Sequence, residues 1–174
     1  MNEKTLFLVR HAKSSWKDTS LSDHDRPLNQ RGKQNALLMA ARLKKRGILP
    51  KIIFSSTAKR ASATAKIFAQ EIGLRENQIN YHRQLYHASI QNLITIIRAI
   101  SDKFDSVMLC GHNPGFSELA NYEWNLPVHN HPTCGVLEIR FKADSWNDIA
   151  VEKIDSVKFD YPKNSSSTPE ILFS

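Results

Sequence analysis

The amino-acid sequence predicts an α/β fold, a three-layer αβα sandwich with a mostly parallel central sheet, and three observations predict it. Short apolar runs recur at residues 5–10 (TLFLVR), 51–56 (KIIFSS) and 106–111 (SVMLCG), and each suits a strand buried on both faces. Segments with a helical apolar repeat lie between them, and strands joined through helices of that length pair in parallel. Two further runs, 135–141 (GVLEIRF) and 149–159 (IAVEKIDSVKF), flank a turn around KADSWND and read as an antiparallel hairpin.

Each element can be justified in order. The first strand ends on Arg10 and His11, an unusual pair after a core run. Asn29 suits the cap of the first helix, whose Ala36, Ala40, Leu43 and Gly47 share one face. Its basic end, RLKKRG (42–47), places cations where the helix dipole favours them. After the second strand, Ala61, Ala65, Phe68 and Ile72 form the stripe of a second helix; Ile90, Leu93, Ile94, Ile97 and Ile100 form that of a third. The strand at 106–111 runs into GHNPG, a turn with Pro114 at an early helical position. Residues 1–161 are expected to make one domain. Residues 162–174, rich in Pro, Ser and Asn at first, are expected to be a flexible tail.

Composition narrows the function classes. Cys110 and Cys134 lie in apolar surroundings, outside any CxxC or Cys/His cluster, so neither a disulfide framework nor a zinc site is indicated. The apolar run before Arg10 is too short for a signal peptide, and no stretch approaches the roughly 20 residues of a membrane span. A soluble, cytoplasmic protein is expected, with no membrane partner. Lys plus Arg number 24 against 17 Asp plus Glu, a net charge of +7, which favours an anionic partner. Phosphate esters, phosphoproteins and nucleic acid all qualify on charge. The basic residues are scattered and no nucleic-acid recognition motif is present, so nucleic acid is not expected.

The chemistry lies at strand ends. In parallel sheets ligands collect at the carboxyl ends of strands, and three such ends carry Arg10 with His11, Ser55 through Arg60, and His112. Two arginines and two histidines at one edge suit a dianionic phosphoryl group, since Arg offers paired planar donors. RHAKSSW, SSTAKRASATA and GHNPG, in this order, together with DRPLNQRG (25–32), QLYHA (84–88) and HPTCGVLEIRF (131–141), resemble the histidine phosphatase superfamily, whose fold is called phosphoglycerate mutase-like, and especially its SixA-like phosphohistidine phosphatase branch. The resemblance implies that His11 is the nucleophile and forms a phosphohistidine intermediate. It implies that Arg10, Arg60 and His112 hold the transferring phosphoryl group, and that no metal or other cofactor is needed. It places Ser14, Lys17, His87 and Asn113 as substrate-binding candidates. A histidine nucleophile must attack as the neutral ring, and a nearby carbonyl accepting the other ring N–H would fix that tautomer.

The departures from the family pattern are informative. Ala12 replaces the usual glycine after the histidine, and Trp16 is followed by Lys17 instead of asparagine. Where many relatives carry a carboxylic acid, this chain has His87 in one position and Asn113 in the other. An alkoxide leaving group needs a proton, whereas phosphohistidine can be protonated beforehand on its own ring, so the missing acid points to phosphohistidine. Asp23, His24, Asp25 or His87 could still supply a proton from a loop. Asp25 and Arg26 are expected to form an ion pair, and His24, His82, His129 and His131 to be surface or structural. The expected activity is removal of phosphate from protein phosphohistidine, the partner being a phosphorylated signalling domain or phosphocarrier and the chain a monomer or weak dimer. The alternatives are a small-molecule phosphatase acting on sugar phosphates or nucleotides, and a basic module that binds phosphorylated ligands or nucleic acid without turnover.

Overall fold

A computed structural model describes residues 2–166 and 168–174. Among the described residues, seven strands form one sheet in the order β3-β2-β4-β1-β5-β6-β7. Four of them, β1 (Glu3–Arg10), β2 (Ile52–Ser56), β3 (Ile79–His82) and β4 (Ser106–Gly111), pair in parallel. The other three, β5 (Val136–Lys142), β6 (Ile154–Asp160) and β7 (Glu170–Phe173), add antiparallel strands beyond β1. The sheet is thus half parallel and half antiparallel.

Period-two alternation sends the side chains of β1 into two cores. Phe7 and Val9 pack with Met39 and Leu43 of α1 (Gln30–Lys45) and Phe68 of α2 (Lys59–Ile72). Leu6 and Leu8 face the opposite layer, with Leu93 and Ile97 of α3 (Ile90–Arg98) and Phe116 of α4 (Gly115–Glu118). Asn29 caps α1 as expected, its side chain accepting the Gly32 N–H at 2.7 Å. The basic end of α1 does more than meet the helix dipole. Arg42 and Arg46 both reach the fully buried carboxylate of Asp160 and fasten α1 to β6.

The differences from the sequence reading have local causes. Gly47 lies beyond α1 with φ 84, a left-handed position that ends the helical path, so it is outside the apolar stripe. β3 carries no apolar run, since only Ile79 of its four residues is buried, and it pairs with β2 at the edge of the sheet. The run 149–159 begins as a tight turn and becomes extended only from Ile154. The expected flexible tail is corrected at its end, because Glu170–Phe173 pair with β6 as β7.

Gly32 sets a steric limit on the path of the chain after the first strand. A Cβ on it would stand 2.1 Å from the Lys13 carbonyl oxygen, a backbone atom that cannot rotate away. Helix propensity alone would make Gly32→Ala stabilising by about 1 kcal/mol. Overpacking should reverse that sign, with a net loss of about 1–3 kcal/mol, read as a lower urea midpoint at unchanged m-value.

Candidate active site

Three parallel strand ends meet at one edge of the sheet. β1 delivers Arg10 and His11, β4 delivers His112, and the first turn of α2, entered from β2, delivers Arg60. His11, Arg60 and His112 are 8 %, 4 % and 5 % exposed. Arg10 is half-buried beside them.

The His11 ring is oriented at both nitrogens. Nδ1 lies 2.7 Å from the Ala12 carbonyl oxygen, which can only accept, so Nδ1 carries the proton. Nε2 is left with a lone pair and accepts from Arg60 Nε at 3.3 Å. Burial chiefly, and then the charges of Arg60, Arg10 and Arg26, push the His11 pKa down to about 4, although the bond to Ala12 opposes them. The ring is therefore neutral near pH 7.

The His112 ring centroid lies 5.2 Å from that of His11. Its Nε2 is 2.8 Å from Ser56 Oγ, and its Nδ1 is buried without a partner among the described residues. Burial first, then His11, Arg60 and His87, lower its pKa to about 3 against a smaller opposing effect of Asp23. Arg10 donates from Nη1 to the His131 carbonyl at 3.0 Å, while its Nε is buried with no partner among the described residues. Thr64 ties α2 to the strand end, its hydroxyl accepting the Ala12 N–H at 3.0 Å and donating to the Arg60 carbonyl at 2.8 Å.

A carboxylate stands at the mouth of this group. Asp23 Oδ2 accepts from Arg60 Nη2 at 2.9 Å and from the Tyr86 hydroxyl at 2.6 Å, while its Oδ1 meets Arg26 Nη1 at 2.9 Å. The Tyr86 hydrogen bond above all, then Arg60 and Arg26, hold the carboxyl well below the usual carboxylate range. The expected Asp25–Arg26 pair is replaced by Asp23–Arg26, and Asp25 instead faces Ser22 and His24. Arg26 also lies 3.2 Å over the Trp16 ring and bonds Ser14 Oγ.

The remaining candidates divide. His87 comes close, its ring 6.0 Å from His112 and its Nε2 3.6 Å from Asp23 Oδ2. Asn113 lies beside His112, but its amide is bonded at both ends, to the His131 carbonyl and to Ser117. Ser14 is held by Arg26. Lys17 is exposed, and among the described residues only its backbone N–H is bonded, to Ser15 Oγ at 3.2 Å. His131 is structural, fully buried with Nε2 2.7 Å from the Gly135 carbonyl. Asp23, which the sequence suggests only as a proton source, is a partner of Arg60; Ser56 lies in the strand-end stretch the sequence points to but without its role on His112, and Tyr86 and Thr64 are given no site role there. Thr64 follows Arg60 by one helical turn, a spacing that could have revealed it, whereas nothing local marks Tyr86.

The sequence model of the histidine phosphatase superfamily (branch 1) matches residues 6–91. An uncharacterized chloroplast protein of Arabidopsis thaliana is 34% identical over 153 residues, which span 83% of this chain and 70% of that one. This chain belongs to the histidine phosphatase superfamily. Among solved structures, a protein assigned as the phosphohistidine phosphatase SixA of Agrobacterium tumefaciens is 29% identical, with a TM-score of 0.71 over 78% of this chain and 90% of that one. A mycobacterial glucosyl-3-phosphoglycerate phosphatase shares the fold at 16% identity, with a TM-score of 0.64 over 92% and 98% of the two chains. This member of the superfamily is SixA-like, and its mixed α/β sheet is the phosphoglycerate mutase-like one. Among the described residues no cluster of His, Cys, Asp and Glu could hold a metal ion, and no helix is long and apolar enough to cross a membrane.

Three buried histidines make stability sensitive to mild acid. His11, His112 and His131 have pKa values pushed by burial to about 4, 3 and 4, below the ordinary 6.5. Above pH 6.5 neither the folded nor the unfolded chain protonates them. As pH falls below 6.5 the unfolded chain takes up protons that the folded chain refuses, so stability is lost down to about pH 4. Each histidine contributes up to about 1.4 kcal/mol per pH unit in that window. Urea midpoints should fall steeply between pH 6.5 and pH 5, and a flat profile there would contradict the placement of these rings.

Proposed function

We propose that this protein is a phosphatase that takes a phosphoryl group onto His11 Nε2 and releases it to water, with protein phosphohistidine as its preferred substrate. The observation that carries the reading is the His11 tautomer. Nδ1–H is bonded to the Ala12 carbonyl, and Nε2 holds a lone pair among Arg10, Arg60 and His112. A neutral, oriented ring is what attack on phosphorus requires.

In the first step His11 Nε2 bonds to phosphorus while the bond to the leaving group breaks, its electron pair going to that group. The proton on Nδ1 stays in place, and the Ala12 carbonyl stabilises the resulting cationic phosphoimidazole. Arg10 and Arg60 neutralise the charge on the equatorial oxygens, and Arg10 Nε and His112 Nδ1, without partners among the described residues, suit the phosphoryl group as hydrogen-bonding partners. In the second step water attacks phosphorus as the P–Nε2 bond breaks, Nε2 recovers its electron pair, and the water's proton passes to a phosphate oxygen or to solvent.

The substrate preference rests on the state of the carboxyl nearest the arginines. Asp23, whose carboxylate is bonded to Arg60, stays ionised and has no proton to give an alkoxide. A phosphoramidate brings its own proton. The test compares two substrates of the full chain, a phosphohistidine-bearing carrier domain and an alkyl phosphate such as glycerol phosphate, whose alkoxide needs a proton to leave. Phosphohistidine should turn over with far higher kcat/KM; efficient ester cleavage with inert phosphohistidine would redirect the assignment to small phosphorylated metabolites.

A further inference from the structure

Beside the four strand-end residues lies a second hollow of about 220 Å³, whose walls include His87, Ser89, His112, Asn113 and Glu118. Two close approaches build it. Gly115 brings α4 so near the turn at 87–89 that a Cβ would stand 2.6 Å from the Ala88 carbonyl oxygen. His87 adopts φ 53, a left-handed conformation that costs energy for a residue with a side chain, and its ring centroid rests 4.0 Å from that of Tyr86. Strain of this kind persists where the surroundings fix a shape.

The charges on the two sides of His112 are opposite. On the His11 side stand the guanidinium groups of Arg10 and Arg60, the second of them paired with the Asp23 carboxylate, so that cations outnumber anions there. Among the described residues, no Lys or Arg lines the hollow on the other side, and Glu118 is its one carboxylate. In a protein of net charge +7 this local reversal selects among leaving groups.

We propose that Glu118 recognises a cationic leaving group, so that the hollow receives the protonated nitrogen base of an N-phosphorylated substrate while Arg10 and Arg60 hold its phosphoryl group. This rests on the phosphohistidine reading above and adds the residue that discriminates against esters. A phosphoimidazole protonated on its free nitrogen is a cation next to a phosphoryl anion, and the two sides of His112 match that dipole. When the P–N bond breaks, its electron pair stays on the departing nitrogen and the ring leaves neutral. Phosphorus bonds to His11 Nε2, and the positive charge passes to the His11 ring. Glu118 faces the charge of the base in the bound substrate and in the transition state, where the P–N bond is only partly broken, so its loss raises KM and changes kcat little.

Glu118→Gln keeps the shape of the wall and removes its charge. The expected result is that the ratio of kcat/KM for a phosphohistidine peptide to kcat/KM for p-nitrophenyl phosphate falls about tenfold, mainly through the peptide's KM. Glu118→Asp should restore part of it. Because the ratio is taken within one enzyme preparation, partial unfolding of a variant lowers both rates together and does not move it. Wild-type turnover of phosphohistidine with an unchanged or increased ratio in Glu118→Gln overturns the role of Glu118 alone. Wild-type cleavage of the ester with phosphohistidine left intact overturns the functional reading and this inference together.

Discussion

His11→Ala should lower phosphatase turnover by about 10⁵-fold or more, the scale on which loss of a covalent nucleophile is felt. The expectation rests on position as well as residue type. His11 Nε2 carries the lone pair that the site orients, with Arg60 at 3.3 Å and the Ala12 carbonyl fixing the other nitrogen. Alanine removes the attacking atom and leaves Arg10, Arg60 and His112 in place. The variant should therefore still bind inorganic phosphate while failing to turn over. A second measurement isolates the covalent step. Wild-type protein quenched in alkali during turnover should carry one acid-labile phosphoryl group, and His11→Ala should carry none. Residual turnover within about 100-fold of wild type would show that water attacks the substrate directly and that His11 is a binding residue.

The parts of the molecule legible in the sequence are those governed by short-range rules. The three buried parallel strands, the Asn29 cap and the β5–β6 hairpin each follow from a local pattern, and the rule that ligands gather at strand ends is enough to group Arg10, His11, Arg60 and His112. What escapes is decided by distant pairing. β3 exposes two of its four residues and is a strand because β2 offers an edge. β7 closes the other side for the same reason. In the site, Asp23 and Tyr86 are 63 positions apart, and neither neighbourhood announces that a hydroxyl meets a carboxylate at 2.6 Å. Adjacency suggests Asp25 as the partner of Arg26, whereas the turn at 23–25 presents Asp23, three positions away.

That Asp23 contact makes Arg60 the position where a conservative change should be least tolerated. Arg60 uses all three nitrogens, Nε toward His11 Nε2, Nη1 on the Asp23 carbonyl at 2.5 Å and Nη2 on the Asp23 carboxylate at 2.9 Å. A lysine at this position keeps the charge but offers one nitrogen, and it cannot face the nucleophile and the loop together. Arg60→Lys should lower kcat/KM by about 10²–10³-fold, the usual cost of removing a fixed donor from a transferring group. The pH profile separates geometry from charge. Burial is the main cause of the low His11 pKa, but the Arg60 cation contributes, so Arg60→Met should move the acid limb of activity upward while Arg60→Lys should leave it close to wild type. In Arg60→Met the ionised Asp23 would keep Arg26 as its ion-pair partner but lose the guanidinium between it and the phosphoryl group, and adding Asp23→Asn should recover part of the lost rate. Equal rates for the single and double variants would mean that Asp23 orders the loop and does not act on the phosphoryl group; Arg60→Lys within tenfold of wild type would mean that charge alone, without the planar fork, is what the site requires.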